Sequence, residues 1–586
     1  VTFRRHRVFS LTMLGLFVCL LAGGIHEKTR RAVAPPIYDP IGYIEKGHSI
    51  WQLIVHGPVT NPLNAAPALR PPGCVPFTYP FGYSPDVKRF LFWSTFSPIA
   101  VWILALGLGL GRQVNTPADL WSALALGVGL VSLPMFYHFE INMPIDQAWI
   151  GQWGLQDCLL AALAALAASL MTAGASTRHL GTTVAAWGVS AYTLLVKPSG
   201  LLVMLIVGWI WAVEMLLSAR PAPGQPPPRG FKSYFWITAI CGAAIYLLVS
   251  AACFFSDYLG TANLATGIKA QAILRLVYSD RTWMHAVWTY VRPTLGWPWA
   301  ITFLLLLTAG LIRAAVQLVR RKLAATQGRL MAALMVLLVA GVWWIGFAGV
   351  EARYLFPFIL IVVAWGLPEV MPLLRRLNPP TRSLIAVLCV VPTVLLIGML
   401  WLRHPPAALQ HALGYNLSTG GHGEVVTLAK AMIGESRASG KPIVIYSEAD
   451  YTGGVIHAVD LLESINGQVP PALAWVRPID WVRDPGIRFS DLKAVDYILQ
   501  ENTGPQQMPA ERSSMATLGQ EIAAYKLWLA SLDESDGVKR LGNEQLIYLK
   551  ITDKGKLADS FRKFVRRFVW RREFEHNNPE LFRQPG

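Results

Sequence analysis

The segment 35-PPIYDPIGYIEKGHSIW-51 decides the fold. It follows an apolar run from Val8 to Ile25, yet it is too polar to be a membrane span and too apolar to be a free loop. Ile41, Ile44, Ile50, Trp51 and Ile54 recur at helical spacing with Glu45, Lys46 and His48 between them, the pattern of a helix lying along a membrane surface. Asp39 stands at the start of that helix, where the dipole favours a carboxylate. Two readings of Asp39 are open, a cap on a juxtamembrane helix or the first residue of an active site. Glu45 and His48 read as solvated residues of the polar face.

Working outward, 53% of the 586 residues are hydrophobic and only 15% are charged, where a soluble protein carries about 25% charged residues. Apolar runs recur from Val8 to Leu402 and a mixed, polar composition follows. The expected architecture is an all-α polytopic membrane domain over 1–403, a small α/β extracytoplasmic domain over 404–553 and a basic amphipathic tail over 554–586. Spans of about 20 apolar residues fit eleven stretches: 8–25, 90–111, 119–137, 149–172, 180–196, 199–218, 232–254, 297–319, 329–350, 353–374 and 383–403. The first reads as an uncleaved anchor rather than a signal peptide, because the run is long and "LAGG" lacks an A-x-A pattern. The interruption "LLVKPSGLLVM" is either a tight turn between two short spans or a kink within one.

The formal net charge of +16 reflects topology rather than nucleic-acid binding, because the basic residues sit in short loops and in the tail. If Arg4, Arg5 and Arg7 are cytoplasmic, so are Arg178, the 220–232 loop, the 320–329 loop and the Arg375, Arg376 and Arg382 loop, as the positive-inside rule requires. Eleven spans then put 404–553 outside. They also make 26–89, 138–148 and 255–296 outer loops, with Lys197 and Arg353 at the outer face. All six cysteines precede residue 404, which argues against a disulfide framework or CxxC metal site in the polar part.

The unusual polar residues gather on that outer rim. Arg70, in 68-ALRPPGCVPFTYPFGYSPD-86, is a planar fork suited to phosphate or a lipid-facing arginine in an interfacial loop. Glu140 and Asp146 lie between the third and fourth spans, and Asp157 enters the fourth. An ionised aspartate within a span costs about 2.5–3.5 kcal/mol and so faces a cavity or a partner. Lys197, and Arg353 with Tyr354, supply cations that either snorkel to headgroups or hold a ligand. Acids and cations on one face favour an anionic substrate.

The ordered set "YDPIGY", "LRPPG", the acids around the third and fourth spans, "LLVKPSGLL" and "ARYLFPF" resembles the GT-C class of polytopic glycosyltransferases. The resemblance covers about residues 1–403 and extends especially to bacterial relatives of the aminoarabinose transferase and of the protein O-mannosyltransferases. It implies transfer of a sugar from a polyprenyl-phosphate donor to an envelope lipid, glycan or protein acceptor at the outer face of the bacterial inner membrane. It also implies Asp39 as catalytic base, Glu140 and Asp146 as secondary carboxylates, and Arg70, Lys197, Arg353 and Tyr354 at the donor phosphate. Proline follows Asp39 where many relatives have a second acid, which puts acidic-pair metal binding in doubt. A divalent cation, Mg or Mn, held by Asp39 with Glu140 or Asp146 stays open. The competing readings are a transporter or flippase of a lipid-linked anion, for which no inverted repeat is visible, and a catalytically silent envelope-assembly scaffold.

In the polar part, strand-like runs at 442–446, 495–500 and 545–551 alternate with helical stretches such as 424–438 and 518–532. No GxGxxG or Walker loop appears, and His422, His457, Asp450 and Asp460 lack metal-ligand spacing. The domain reads as a cover for the membrane site that guides the acceptor. In the tail, Phe561, Phe564, Val565, Phe568 and Val569 recur at helical spacing among arginines, which predicts an interfacial helix on anionic lipid.

Overall fold

The computed structural model describes residues 2–139, 153–219, 230–260, 352–366, 371–419, 423–447, 450–476, 493–500, 525–542 and 547–566, less 38, 58–60, 69, 155 and 526, with scattered positions between 295 and 340. The chain forms two compact units, Val1–Ala32 with Asp39–Thr419, and Val33–Tyr38 with Gly420–Gly586.

The first unit is helical. Its main elements are α1 (Thr2–Arg30), α2 (Asp39–His56), α3 (Val87–Gly111), α4 (Pro117–Val131), α5 (Asp157–Thr177), α6 (Leu180–Val196), α7 (Gly200–Ala219), α8 (Phe231–Phe254), α9 (Phe356–Gly366), α10 (Pro379–Trp401) and α11 (Ala407–Leu413). Among the described residues six helices, α1, α3, α5, α7, α8 and α10, are long and apolar enough to cross a membrane. The helices α4 and α6 and the stretch Arg353–Gly366 are apolar but shorter. The expected spans 297–319 and 329–350 lie largely outside the described residues.

Two expectations shift. The span read at 149–172 becomes helical at Asp157, so that acid opens a helix rather than sitting within one. The span read at 119–137 stops at Val131 and passes into a 3-10 turn, Pro134–Phe136. The "LLVKPSGLLVM" segment is a tight turn. Helix α6 ends at Val196, Lys197 is extended (φ −156°, ψ 153°), and α7 starts at Gly200. A Cβ at residue 200 would run into the Thr193 carbonyl, so only glycine lets the two helices meet this closely.

Helix α5 is central, packing against α3, α6, α7 and α9. Its run Ala161 to Ser169 is buried throughout, with six alanines whose small side chains let neighbouring helices approach. At the far end of the bundle, Thr116 and Asp119 form a capping box on α4. Asp119 also accepts from Arg375 Nε at 2.9 Å.

The second unit holds α12 (Gly423–Ser439), β1 (Ile443–Ser447), α13 (Asp450–Gly467), β2 (Leu473–Val476), β3 (Tyr497–Gln500), β4 (Val538–Gly542), β5 (Ile547–Ile551) and α14 (Lys554–Arg566). The sheet order is β2-β1-β3-β5-β4, parallel across β2, β1 and β3 and antiparallel across β3, β5 and β4. The run β1-α13-β2 is a parallel crossover unit. Asp460 accepts the backbone N–H groups of Ala472 and Leu473 at 2.9 and 3.2 Å, and the His457 ring meets Trp475 edge-on at 5.8 Å. His422 lies outside the described residues.

The tail reading needs correction where it is described. Leu557, Phe561 and Phe564 of α14 are buried in a core with Tyr525, Trp528, Val538 and Leu549. That apolar face is covered by the unit's own sheet and helices rather than left for lipid. Phe568 and Val569 lie outside the described residues.

Candidate active site

Asp39 is the first residue of α2, its carboxylate at the positive end of the helix. A turn closed by Arg70 N–H on the Pro67 carbonyl at 3.0 Å delivers Arg70 to it. The arginine lies across Gly42, where a Cβ would meet Nε at 3.0 Å, and its guanidinium sits 5.7 Å from the centre of the Tyr43 ring. Arg70 Nη2 donates to Asp39 Oδ1 at 2.5 Å, and Arg353 Nη1 stands 3.9 Å from Oδ2. One carboxylate is thus spanned by two guanidinium groups. Burial alone would push the Asp39 carboxyl up, but Arg70, Arg353 and Lys197 outweigh it and hold the group below the ordinary carboxylate range. Asp39 is ionised at neutral pH.

A second pair lies beside the first. Lys197, at the C-terminal end of α6, donates from Nζ to both oxygens of Asp157, at 2.7 Å each. The Tyr354 ring links the two pairs, with Lys197 Nζ 5.7 Å and the Arg353 guanidinium 5.4 Å from its centre. Arg353 comes from a 3-10 turn, Ala352–Leu355, that leads into α9, and its side chain is 8% exposed. Arg353 and Asp157 also border a cavity of about 30 Å³ together with Ser94, Thr95, His138 and Trp153. That volume has room for a water molecule or two.

Of the residues singled out from the sequence, Asp39, Arg70, Lys197, Arg353 and Tyr354 come together here. Glu140 and Asp146 lie outside the described residues. Asp157 was expected only to need a partner, and its partner is Lys197. Glu45 and His48 are not the solvated residues expected. Glu45 is half-buried, and burial pushes its carboxyl up. The His48 ring meets Tyr83 edge-on at 5.0 Å.

Lys46 gave no signal in the sequence beyond the polar face, yet it is fully buried and its Nζ donates to the Ala65 carbonyl. It thereby ties the chain leading to Arg70 onto α2. Burial lowers its ammonium to about 8.

Among the described residues no group of three His, Cys, Asp or Glu side chains has the arrangement of a metal site. At Asp39, Arg70 takes Oδ1 while Arg353 Nη1 stands 3.9 Å from Oδ2, and Glu140 and Asp146, the partners expected for a divalent cation there, lie outside the described residues.

No protein-family model matches the chain, and no curated protein sequence does. Solved structures similar to it include the archaeal oligosaccharyltransferase AglB from Archaeoglobus fulgidus in complex with an inhibitory peptide and a dolichol-phosphate. The likeness has a TM-score of 0.48 at 14% identity, covering 88% of this chain and 72% of that one. An Archaeoglobus fulgidus oligosaccharyltransferase structure with Zn and sulfate is similar at a TM-score of 0.47 and 13% identity, covering 91% and 73%. ArnT from Cupriavidus metallidurans bound to undecaprenyl phosphate is similar at a TM-score of 0.47 and 12% identity, covering 91% of this chain and 98% of that one.

Proposed function

We propose that this chain is a membrane glycosyltransferase that moves a sugar from a polyprenyl-phosphate carrier to an acceptor at the outer face of the cytoplasmic membrane, with Asp39 as general base. The observation that carries this reading is the Asp39 carboxylate spanned by Arg70 and Arg353. A base and two phosphate-binding forks in contact are what such a displacement needs.

In the proposed reaction the acceptor hydroxyl attacks the anomeric carbon and gives its proton to Asp39. The bond from that carbon to the carrier phosphate breaks, its electron pair stays on the phosphate oxygen, and Arg70, Arg353 and Lys197 stabilise the charge. The arrangement also solves a problem of basicity. A carboxylate held low by two guanidinium groups is a poor base, but a bound phosphate competes for those same groups. Donor binding then frees Asp39 at the moment a base is required.

The test is transfer in vesicles from a polyprenyl-phosphate sugar donor to extracted envelope acceptor. Asp39→Asn should abolish transfer while the protein still inserts and binds donor. Full activity in that variant would remove Asp39 as the base. Loss of transfer with wild-type donor binding in Arg70→Met and Arg353→Met would remove the phosphate assignment.

A further inference from the structure

At the opposite end of the bundle from Asp39 lies an apolar cavity of about 360 Å³, walled by the first half of α1, the last turns of α3 and most of α4. It is far from the Asp39 site along α3, whose first turn packs Phe90 against Tyr79, itself seated on Gly47 of α2. Three observations bear on its occupant. Ser10 lines the cavity, is 4% exposed, and its hydroxyl has no hydrogen-bond partner among the described residues. Beside it, Trp121 packs edge-on with Phe9 at 5.8 Å and His6 at 6.5 Å, and is itself partly exposed, the placement of an aromatic at a membrane interface. The sequence around this end is basic, with Arg4, Arg5 and Arg7 preceding the wall of α1 and Arg112 following that of α3.

We infer that the cavity holds one acyl chain of an anionic glycerophospholipid. The apolar wall takes the chain, and the basic sequence at this end, with Arg4, Arg5, Arg7 and Arg112, favours an anionic headgroup. The space is made by glycines rather than by loose packing. A Cβ at Gly107 or Gly111, both in the wall, would meet nothing within 4 Å. Larger side chains there fill the cavity without displacing the fold.

The test uses the full chain in vesicles containing phosphatidylglycerol with a photoactivatable group on its acyl chain. Irradiation should label peptides covering 103–131. Gly107→Leu with Gly111→Leu should lower that label about fivefold or more, the effect of one or two methylenes losing their burial. Gly107→Leu alone serves if the double variant misfolds. Gly188→Leu, at a position equally open but outside the cavity wall, should leave the label unchanged. The same probe on phosphatidylcholine should label more weakly. Label spread evenly over the outward helices, or unaffected by the leucines, overturns the site. Equal labelling by both lipids overturns the anionic headgroup.

Discussion

Lys197 Nζ donates to both carboxylate oxygens of Asp157 at 2.7 Å, with 11% and 3% of the two side chains exposed. Each charge stands at the helix end whose dipole favours it, Asp157 in the first turn of α5 and Lys197 just past the last turn of α6. Removing one partner strands the other. Asp157→Asn and Lys197→Met should each cost about 3–5 kcal/mol in unfolding stability. The double variant should recover most of that loss, because neither buried charge remains. On the proposed reading it should not recover transfer, since Lys197 is missing from the phosphate site. Additive destabilisation in the cycle would show the two side chains to be uncoupled, and restored transfer would show Lys197 to be structural only.

The Asp39 carboxyl is depressed by Arg70 and Arg353 despite its burial. Its folded-state value lies below the unfolded one, so the stability it contributes is present above about pH 4 and is lost as pH falls through the folded value. Arg70→Met should move the acid limb of kcat/KM to higher pH. A pH profile in that variant superimposable on the wild type would show that the limb belongs to another group.

Lys46 works in the opposite sense. Burial lowers its ammonium from 10.5 to about 8, so the charge is a penalty to folding below pH 8 that is relieved as pH rises from there towards 10.5. The thermal midpoint of the wild type should therefore hold up or rise over that interval. Lys46→Met carries no such penalty and should lack the rise, while losing the tie to the Ala65 carbonyl and with it part of Arg70's alignment. Parallel curves for both proteins would rule out Lys46 as the source.

What the sequence reveals and conceals follows from the physics of each feature. Lys197 and Arg353 stand out because a charge in an apolar run is costly, and the Pro-Ser-Gly at 198–200 reads as a turn from its residue types alone. That Arg70 and Arg353 take one oxygen of Asp39 each is not local information, since helix packing brings together residues far apart in the chain. The strands β2 and β4 escaped for a different reason. β2 has only four residues, and β4 is an edge strand whose exposed Lys539 and Arg540 break the apolar alternation. Charged edges protect a sheet from pairing further and hide it from a hydrophobic pattern. The tail misled because helical periodicity reports one apolar face without saying what covers it.

That last ambiguity is open to measurement. Phe561 is fully buried, its ring 5.3 Å from that of Trp528, and Phe564 stacks on the same tryptophan at 5.2 Å. If α14 belongs to the core, Phe561→Ala should destabilise the second unit by about 3–5 kcal/mol, read as faster amide exchange in β3 and β5. Lys563→Glu, on the exposed face, should change exchange little, by less than about 0.5 kcal/mol. A helix held instead by anionic lipid would invert the result. Charge reversal would then loosen it in vesicles, while loss of the phenyl ring would leave the sheet protected.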